Sequence, residues 1–398
     1  MLGSYQIMIN GQAADSDLYT SIASVEVEES MDMPAALQLT VPVTRNAQGG
    51  LNFVEDSRFA PLSNIAIVTD TGGGTAPSSV GGALGAAASA LGGASASTAQ
   101  CIFDGYVLSQ RLHVETGITK SNLEVWGQDA SWLMNLTEQV KEWLDVTDAT
   151  VANTIFGDYG ITPADDNLDD DSPTHTEAGH SLMQRASDIQ FLRNLARRNG
   201  KVCRVACADK PGVRTGYFAK PKLDGDPVVT LTLNDPEHWT VGALNLEWDA
   251  TRATSVIARQ ATFDDSSASG VSADTTDSGL KLLSDQDLAT FSGKPMQVIL
   301  TAPVDDAGEL QLRAEALLRD ALWFVRCEGD ADLERLGVIL RAGMIVAISG
   351  LGALYSGNYL VWSVRHIIKP DSHVMKFVLV RNAVGKAAAG GAPSLPSL

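Results

Sequence analysis

The chain has 398 residues, 44% of them hydrophobic, with a formal net charge of −19 and a pI near 4.6. That length predicts two or three domains with a sizeable core. The acidity excludes a protein that grips nucleic acid in a sequence-specific way, because that needs Lys and Arg clustered against phosphate.

Met1 to Asn10 lacks a basic n-region and an apolar h-region, so no signal peptide is expected and synthesis is assigned to the cytoplasm. Residues 1–128 are strand-rich. Tyr5-Ile7-Ile9, Val25-Val27, Leu37-Leu39-Val41, Ile65-Ile67, Phe103-Gly105-Val107 and Leu123-Val125-Gly127 alternate with polar neighbours. This predicts an antiparallel all-β domain, a small barrel or sandwich. Residues 71–99 interrupt it with Gly, Ala and Ser. They read as a flexible insertion, either a surface loop or one that orders against a partner subunit. No run reaches the roughly 18 apolar residues of a spanning helix, so no membrane anchor is expected.

Residues 129–220 change character and predict an α+β insert domain. Ala130 to Leu144 has helical spacing, and Thr150 to Tyr159 is a shorter helix stopped by Gly160. The acidic stretch Asp165 to Asp171 reads as a solvated loop. Ser181 to Asn199 is the clearest helix, with a stripe of Leu182, Ala186, Ile189, Leu192 and Ala196 widened by Phe191 and Leu195. Gly200 ends it. Val202–Cys207 and Thr215–Phe218 predict a hairpin turning at Pro211-Gly212. Cys203 and Cys207 share a strand face with Val205 and read as buried thiols; four cysteines at this length make no disulfide framework.

Residues 221–382 return to strands: Val228 to Thr232, Leu244 to Trp248 and Ser255 to Phe263. A Ser/Asp/Thr-rich linker covers Asp264 to Ser278. One amphipathic helix is expected over 306–325, with Leu310, Ala314, Leu317, Ala321 and Val325 on one side. Three β-rich runs between Leu340 and Arg381 close the domain, turning at Gly343, Gly350 and Gly357. In the second run, strict alternation puts Leu360, Trp362, Val364, His366 and Ile368 on one face and Tyr359, Val361, Ser363, Arg365 and Ile367 on the other. Residues 383–398 read as a flexible tail.

Sharper chemistry finds little support. His175 and His180 are five apart with Gly179 between them, not the His-Glu-x-x-His spacing of a zinc helix. The Asp165–Asp171 run lacks the central Gly and closing Glu of a calcium loop. His366 reads as a satisfied core or interface histidine. Gly72-Gly73-Gly74 lacks the Lys and following helix of a phosphate loop. Arg193, Arg197, Arg198 and Lys201 read as a solvated or ion-paired face, with an inter-subunit contact as the alternative. No catalytic residue, metal or cofactor is assigned.

The run Ser187-Asp188-Ile189-Gln190-Phe191-Leu192-Arg193-Asn194-Leu195-Ala196-Arg197-Arg198-Asn199-Gly200 resembles the baseplate hub family of contractile tails. That family comprises the phage late control protein D group, the T-even phage hub and the N-terminal half of type VI secretion VgrG spikes. Three further stretches resemble it in the same order. They are Phe103-Asp104-Gly105-Tyr106-Val107, Leu123 to Asp129 through Gly127, and Leu340 to Ile367 with Gly343, Gly350, Gly357, Tyr359, Val361 and His366. The Gly/Ala/Ser insertion departs from the family, as does Ala342-Gly343-Met344 where the family has Pro-Gly-Asp.

The resemblance implies a predominantly β, α+β protein with two tube-like antiparallel barrels, 1–128 and 221–382, flanking the insert 129–220. It implies a structural hub that is not an enzyme. Three chains would form a pseudo-six-fold ring joining a hexameric tail tube to a trimeric spike. The implied partners are two further copies, the tail tube protein, a separate spike protein, and wedge or tape-measure proteins. The implied location is a phage tail or an injection-system baseplate. A tail-associated cell-wall hydrolase would need a Glu/Asp pair or zinc triad in a cleft. A glycan-binding tail protein would need an exposed aromatic cluster, against 6% aromatic residues here.

Overall fold

Period-2 alternation builds most of the molecule. The computed structural model describes residues 5–387, apart from 48, 72–98, 118–119, 169–170, 178–180, 234, 261–270, 303 and 305–306. The Gly/Ala/Ser insertion, the triple glycine, His180 and the tail from 388 on therefore lie outside the described residues. No helix among the described residues is long and apolar enough to cross a membrane.

The N-terminal strands are β1 (Tyr5–Ile9), β2 (Gln12–Ala13), β3 (Ser24–Ser30), β4 (Ala36–Pro42), β5 (Asn64–Thr69), β6 (Gln100–His113) and β7 (Asn122–Asp129). A short helix, α1 (Ser16–Ser21), sits between β2 and β3. The middle of the chain carries β8 (Glu138–Trp143), α2 (Asp148–Asp158), β9 (Thr162–Pro163), β10 (Leu182–Ser187), α3 (Asp188–Arg198), β11 (Val202–Cys207) and β12 (Arg214–Ala219). Then come β13 (Thr230–Thr232), β14 (Leu244–Trp248), β15 (Ser255–Gln260), β16 (Val271–Thr275), β17 (Ser284–Gln286), α4 (Leu288–Ser292), β18 (Gln297–Leu300) and α5 (Ala307–Ala321). The chain closes with β19 (Val325–Asp332), α6 (Leu333–Leu336), β20 (Ile345–Ser349), α7 (Gly352–Tyr355), β21 (Gly357–Lys369), β22 (Ser372–Arg381) and β23 (Val384–Ala387).

One 13-stranded sheet runs through both ends of the chain, in the order β14-β19-β22-β21-β3-β4-β7-β6-β5-β1-β2, with β20 and β13 branching off β21. Its centre is the antiparallel seam between β21 and β3, registered from Ser363 opposite Ser30 to Ile368 opposite Val25. The first half of β21 pairs with β20 instead. The seam merges the two halves into one apolar core, where Val25, Leu37, Phe103 and Val125 join Val346, Val361, Phe377 and Leu379. The strand path stays open at β14 and β2, so hydrogen bonding among the described residues closes neither half into a separate barrel.

Two smaller cores stand apart. In the middle of the chain, α2 and α3 pack with the β8–β10 ribbon and the β9–β12–β11 sheet around Phe156, Phe191, Leu192 and Phe218. Between β14 and β19, the strands β16–β15–β18 carry α5 on Val256, Ala258, Leu310, Ala314 and Leu318. The sequence pattern did not separate this second layer.

Several expectations change. Ala130–Leu144 is not a helix: a 3-10 turn covers Ala130–Asn135 and β8 follows. Glu, Gln, Lys and Leu favour helix there, but pairing with β10 overrides the preference, and Trp143 donates its indole N–H to Gln184 Oε1 at 3.1 Å. The helix expected over Ser181–Asn199 begins at Asp188, because β10 takes Leu182–Ser187. Within the expected linker, Val271–Thr275 is a strand pairing with β15. The 306–325 helix stops at Ala321, and Val325 opens β19. The tail does not begin at 383, since Ala383 and Val384 are buried and β23 pairs with β17.

Phe191 is 6% exposed in the middle core. Phe191→Ala is expected to cost about 3–5 kcal/mol, the usual penalty for emptying an aromatic core site. Urea unfolding with an unchanged midpoint would contradict that packing.

Candidate functional site at the seam

Glu29 lies on β3 with its carboxylate buried, and Arg341 approaches from the turn before β20. Arg341 donates Nε to Glu29 Oε2 at 2.6 Å and Nη2 to Oε1 at 2.7 Å, a two-pronged pair. Burial opposes the charge on Arg341, but the Glu29 carboxylate outweighs it and raises the guanidinium pKa. The pair ties chain positions far apart in sequence across the seam. A more exposed pair, Arg365 with Glu26 at 2.9 Å, repeats the link farther along. The middle unit joins the same place: Arg204 Nη2 donates to the Ala342 carbonyl at 3.0 Å, and its guanidinium stacks on Tyr217 at 4.7 Å.

Behind this pair runs a buried polar relay. His366 Nε2 donates to the Leu340 carbonyl at 3.1 Å, so its Nδ1 accepts from His373 Nε2 at 3.0 Å. His373 Nδ1 is then free to accept from the Thr69 hydroxyl at 3.4 Å. The relay therefore links β21, β22 and β5 with both imidazoles neutral. Burial, then the neighbouring His373 and Arg341, hold the His366 pKa well below its ordinary value. Burial brings His373 down to about 4, against a raising influence from Asp332.

The residues singled out from sequence fall partly in the main sheet and partly in the middle core. The Phe103 ring crosses both Gly105 and Gly127. A Cβ on Gly105 would lie 2.1 Å from the Gln128 carbonyl oxygen and 2.6 Å from Phe103 Cζ, and one on Gly127 would lie 2.9 Å from the Tyr106 oxygen. Val107 is buried, and β6 carries a bulge just after it. Asp129 caps the 3-10 turn by accepting from Ser131 N at 2.8 Å and also accepts from Ala35 N; burial raises its pKa.

Ser187 holds the N-cap position of α3 without capping it, and its hydroxyl donates to Asn135 Oδ1 at 2.6 Å instead. Asp188 accepts from Gln184 at 2.6 Å and Tyr159 at 2.7 Å. Phe191, Leu192, Leu195 and Ala196 fill the middle core. Gly200, at φ +59°, ends α3 where a Cβ would lie 2.7 Å from Ala316 Cα on α5.

Gly343, Gly350 and Gly357 all have positive φ. Tyr359 is fully buried and donates its hydroxyl to the Tyr355 carbonyl at 2.7 Å. A bulge between Val361 and Ser363 breaks the strict alternation of β21. It brings Tyr359 and Val361 to the same core as Val364 and Ile368, while Leu360 packs with Val380 and Trp323 in a different cluster. The two-face division fails because a bulge advances the strand by one residue.

Four buried charged clamps were missed. Arg214 donates Nη2 to Asp104 Oδ1 at 2.9 Å, tying β12 to β6. Asp148, at the start of α2, accepts from His175 at 2.8 Å, from Arg198 at 2.8 Å and from Asn199 at 2.5 Å, fastening it to the end of α3. Its burial opposes ionisation, but His175, Arg198 and Asn199 outweigh that and hold its pKa low. Arg319 donates to the Asn199 carbonyl at 2.5 Å and Glu315 at 3.0 Å. Arg381 lies beside the Tyr359 ring at 5.3 Å and donates to the Ser356 carbonyl at 3.1 Å. The available signal was a lone charge inside an apolar strand: Asp104 in Ile-Phe-Asp-Gly, Arg381 after Val-Leu-Val.

Within the acidic run, residues 169 and 170 lie outside the described residues, Asp165 is exposed, and two aspartates are ion-paired. Asp171 meets Lys220 at 2.7 Å and Asp166 meets Lys222 at 3.2 Å. Of the basic cluster, Arg198 is paired as above, while Arg193 and Arg197 line a cleft of about 450 Å³ with Asp320, Trp323 and Trp362. Burial raises the Asp320 pKa. Among the described residues, no group of three or more His, Cys, Asp and Glu is placed to hold a metal. The geometry of the seam serves to hold strands in register.

A family model described as the Alg8 N-terminal domain matches residues 91–370, from just before β6 to the turn after β21. The chain belongs to that family. The match takes in β21 and both smaller cores but begins after β3, so it covers only one of the two strands of the seam. No curated protein matches the chain. Among solved structures, the chain resembles the 43 kDa tail protein of prophage MuSo2 from Shewanella oneidensis, with 13% identity, TM-score 0.62, and 96% of this chain and 99% of that one covered. It also resembles a tail protein from Neisseria meningitidis, with 12% identity, TM-score 0.61, and 97% and 98% covered. A third is the c3393 protein of Escherichia coli, described as a type VI secretion component similar in structure to T4 tail proteins gp27 and gp5. There the identity is 12%, the TM-score 0.52, and the coverage 96% and 79%. At these identities the likeness is one of fold.

Glu29→Ala strands the Arg341 charge in the seam and is expected to cost about 3–5 kcal/mol, whereas Glu29→Leu with Arg341→Met recovers most of it. Denaturant midpoints for both variants check this. The histidine relay adds an acid-side dependence. Unfolded imidazoles take a proton near 6.5, while folded His373 refuses it until about pH 4. Its contribution is complete above about pH 6.5 and lost as pH falls toward 4, by about 3 kcal/mol. Unfolding curves between pH 7 and 4 are expected to flatten in His366→Gln/His373→Gln; slopes equal to wild type would refute the assignment.

Proposed function

We propose that this chain is the structural central hub of a contractile tail or injection-system baseplate. The observation carrying the reading is the shared fold over nearly the full length of both chains with two phage tail proteins, at TM-scores of 0.62 and 0.61. The continuous sheet supports it, because a ring that transmits a mechanical stroke needs halves that do not slide.

In this reading, residues 1–128 and 221–382 supply the two tube-like units, with 129–220 between them. Three copies form a pseudo-six-fold ring. Its six-fold side seats the tail tube protein and its three-fold side seats a spike protein, with wedge or tape-measure proteins at the rim. The chain would act after assembly into a virion tail or baseplate, in a structural and not catalytic capacity. The specific motif residues of late control protein D-like hubs are carried by the resemblance alone.

Purified protein is expected to sediment as a trimer at tens of micromolar and to give three-fold, near-hexagonal rings by negative-stain imaging. A monomer across that range, with no ring in the presence of its tube protein, would overturn the reading.

A further inference from the structure

Cys101 is the second residue of β6 in the N-terminal half, and Cys207 closes β11 in the middle unit. Cys207 Sγ donates to the Cys101 carbonyl at 2.6 Å, and both pack with Met8, Ala66 and Val68 in one small cluster. The Cys101 thiol itself donates to the Phe103 carbonyl at 3.3 Å. The Cys207 sulfur thereby lies directly against the Cys101 main chain.

Their surroundings differ. Cys101 is fully buried, whereas Cys207 is half-buried and lines a cleft of about 540 Å³ with Glu29, Arg204, Tyr217, Lys220 and Arg341. Arg341 Nη2 lies 3.5 Å from Cys207 Sγ and is fixed there by Glu29. An accessible sulfur beside a guanidinium, with a second sulfur behind it, is the arrangement of a thiol that reacts first and a thiol that resolves. Cys203 and Cys327 are buried, and neither lines that cleft.

We propose that Cys207 and Cys101 form a dithiol–disulfide pair, with Cys207 the entry point for a small disulfide oxidant and Cys101 the resolving sulfur. The deprotonated Cys207 sulfur attacks the oxidant disulfide, forming a mixed disulfide and expelling one small thiolate. Arg341 supplies a hydrogen-bond donor to the anionic sulfur. Cys101 then attacks Cys207 Sγ, and its proton passes to the second departing thiolate. Two protein thiols are oxidised to one disulfide, and the oxidant is reduced to two thiols. The product joins the N-terminal half covalently to the middle unit, beside the Glu29–Arg341 pair.

The test treats the full-length protein with oxidised glutathione at pH 8 and maps cysteine linkages by mass spectrometry after blocking free thiols. Wild type is expected to yield a linked Cys101–Cys207 peptide pair and a Tm raised by roughly 5–10 °C, as closing a long loop implies, with both changes reversed by dithiothreitol. Cys101→Ala is expected to stop at the intermediate, retaining one glutathione on Cys207. Cys207→Ala is expected to take up none on Cys101. Free Cys207 in both wild type and Cys101→Ala, or a link formed through Cys203, would overturn the proposal.

Discussion

The antiparallel pairing of β3 with β21 governs this molecule. Everything N-terminal to β8 hangs on one side of it and everything from β19 onward on the other. Apolar side chains from both sides share one core, so neither half buries its inner face without the other. A seam between remote segments gains little from local propensity. It needs a register signal, since a slip of one residue would turn every core side chain outward. The two-pronged Glu29–Arg341 pair and the His366–His373–Thr69 relay supply such a signal, because each satisfies its partners in only one alignment.

The smaller cores are fastened by a second kind of contact. Helix ends leave backbone groups without partners, and here those ends meet. Asp148 at the start of α2 gathers Arg198 and Asn199 from the end of α3, while Arg319 on α5 takes the Asn199 carbonyl. Gly200 follows at once, in a conformation and a space that suit only a residue without a side chain. Three helices are thereby locked through one helix terminus. The middle unit is then tied to the turn beside the seam by Arg204 and to β6 by Arg214.

Much of the strand pattern was legible because burial alternated with sequence, as in β3, β4 and β7. The amphipathic stripe of α3 was legible for the same reason at helical spacing. Failures arose where a polar residue points inward. Gln184 is fully buried in β10, so Leu182–Ser187 read as helix rather than strand. In β8, Val140 is 82% exposed and only Trp143 is buried, leaving no period to detect. The bulge after Val361 left no compositional mark, and its effect was to move Tyr359 and Val361 across the strand. The seam itself was invisible, since no local pattern reports which distant strand will lie alongside. The likeness to tail proteins, by contrast, was already carried by ordered motifs, and the shared fold agrees with it.

Placing β21 beside β3 has a consequence for synthesis. The N-terminal strands leave the ribosome long before their neighbour exists, since Arg341 lies 312 residues after Glu29. At roughly 5–20 residues per second the wait is on the order of tens of seconds. Throughout it β3 presents bare amide and carbonyl groups, an invitation to strand exchange between nascent chains. Its Glu26, Glu28 and Glu29 give that margin a negative charge, so two waiting copies repel each other until the cationic Arg341 and Arg365 of the same polypeptide arrive to claim it.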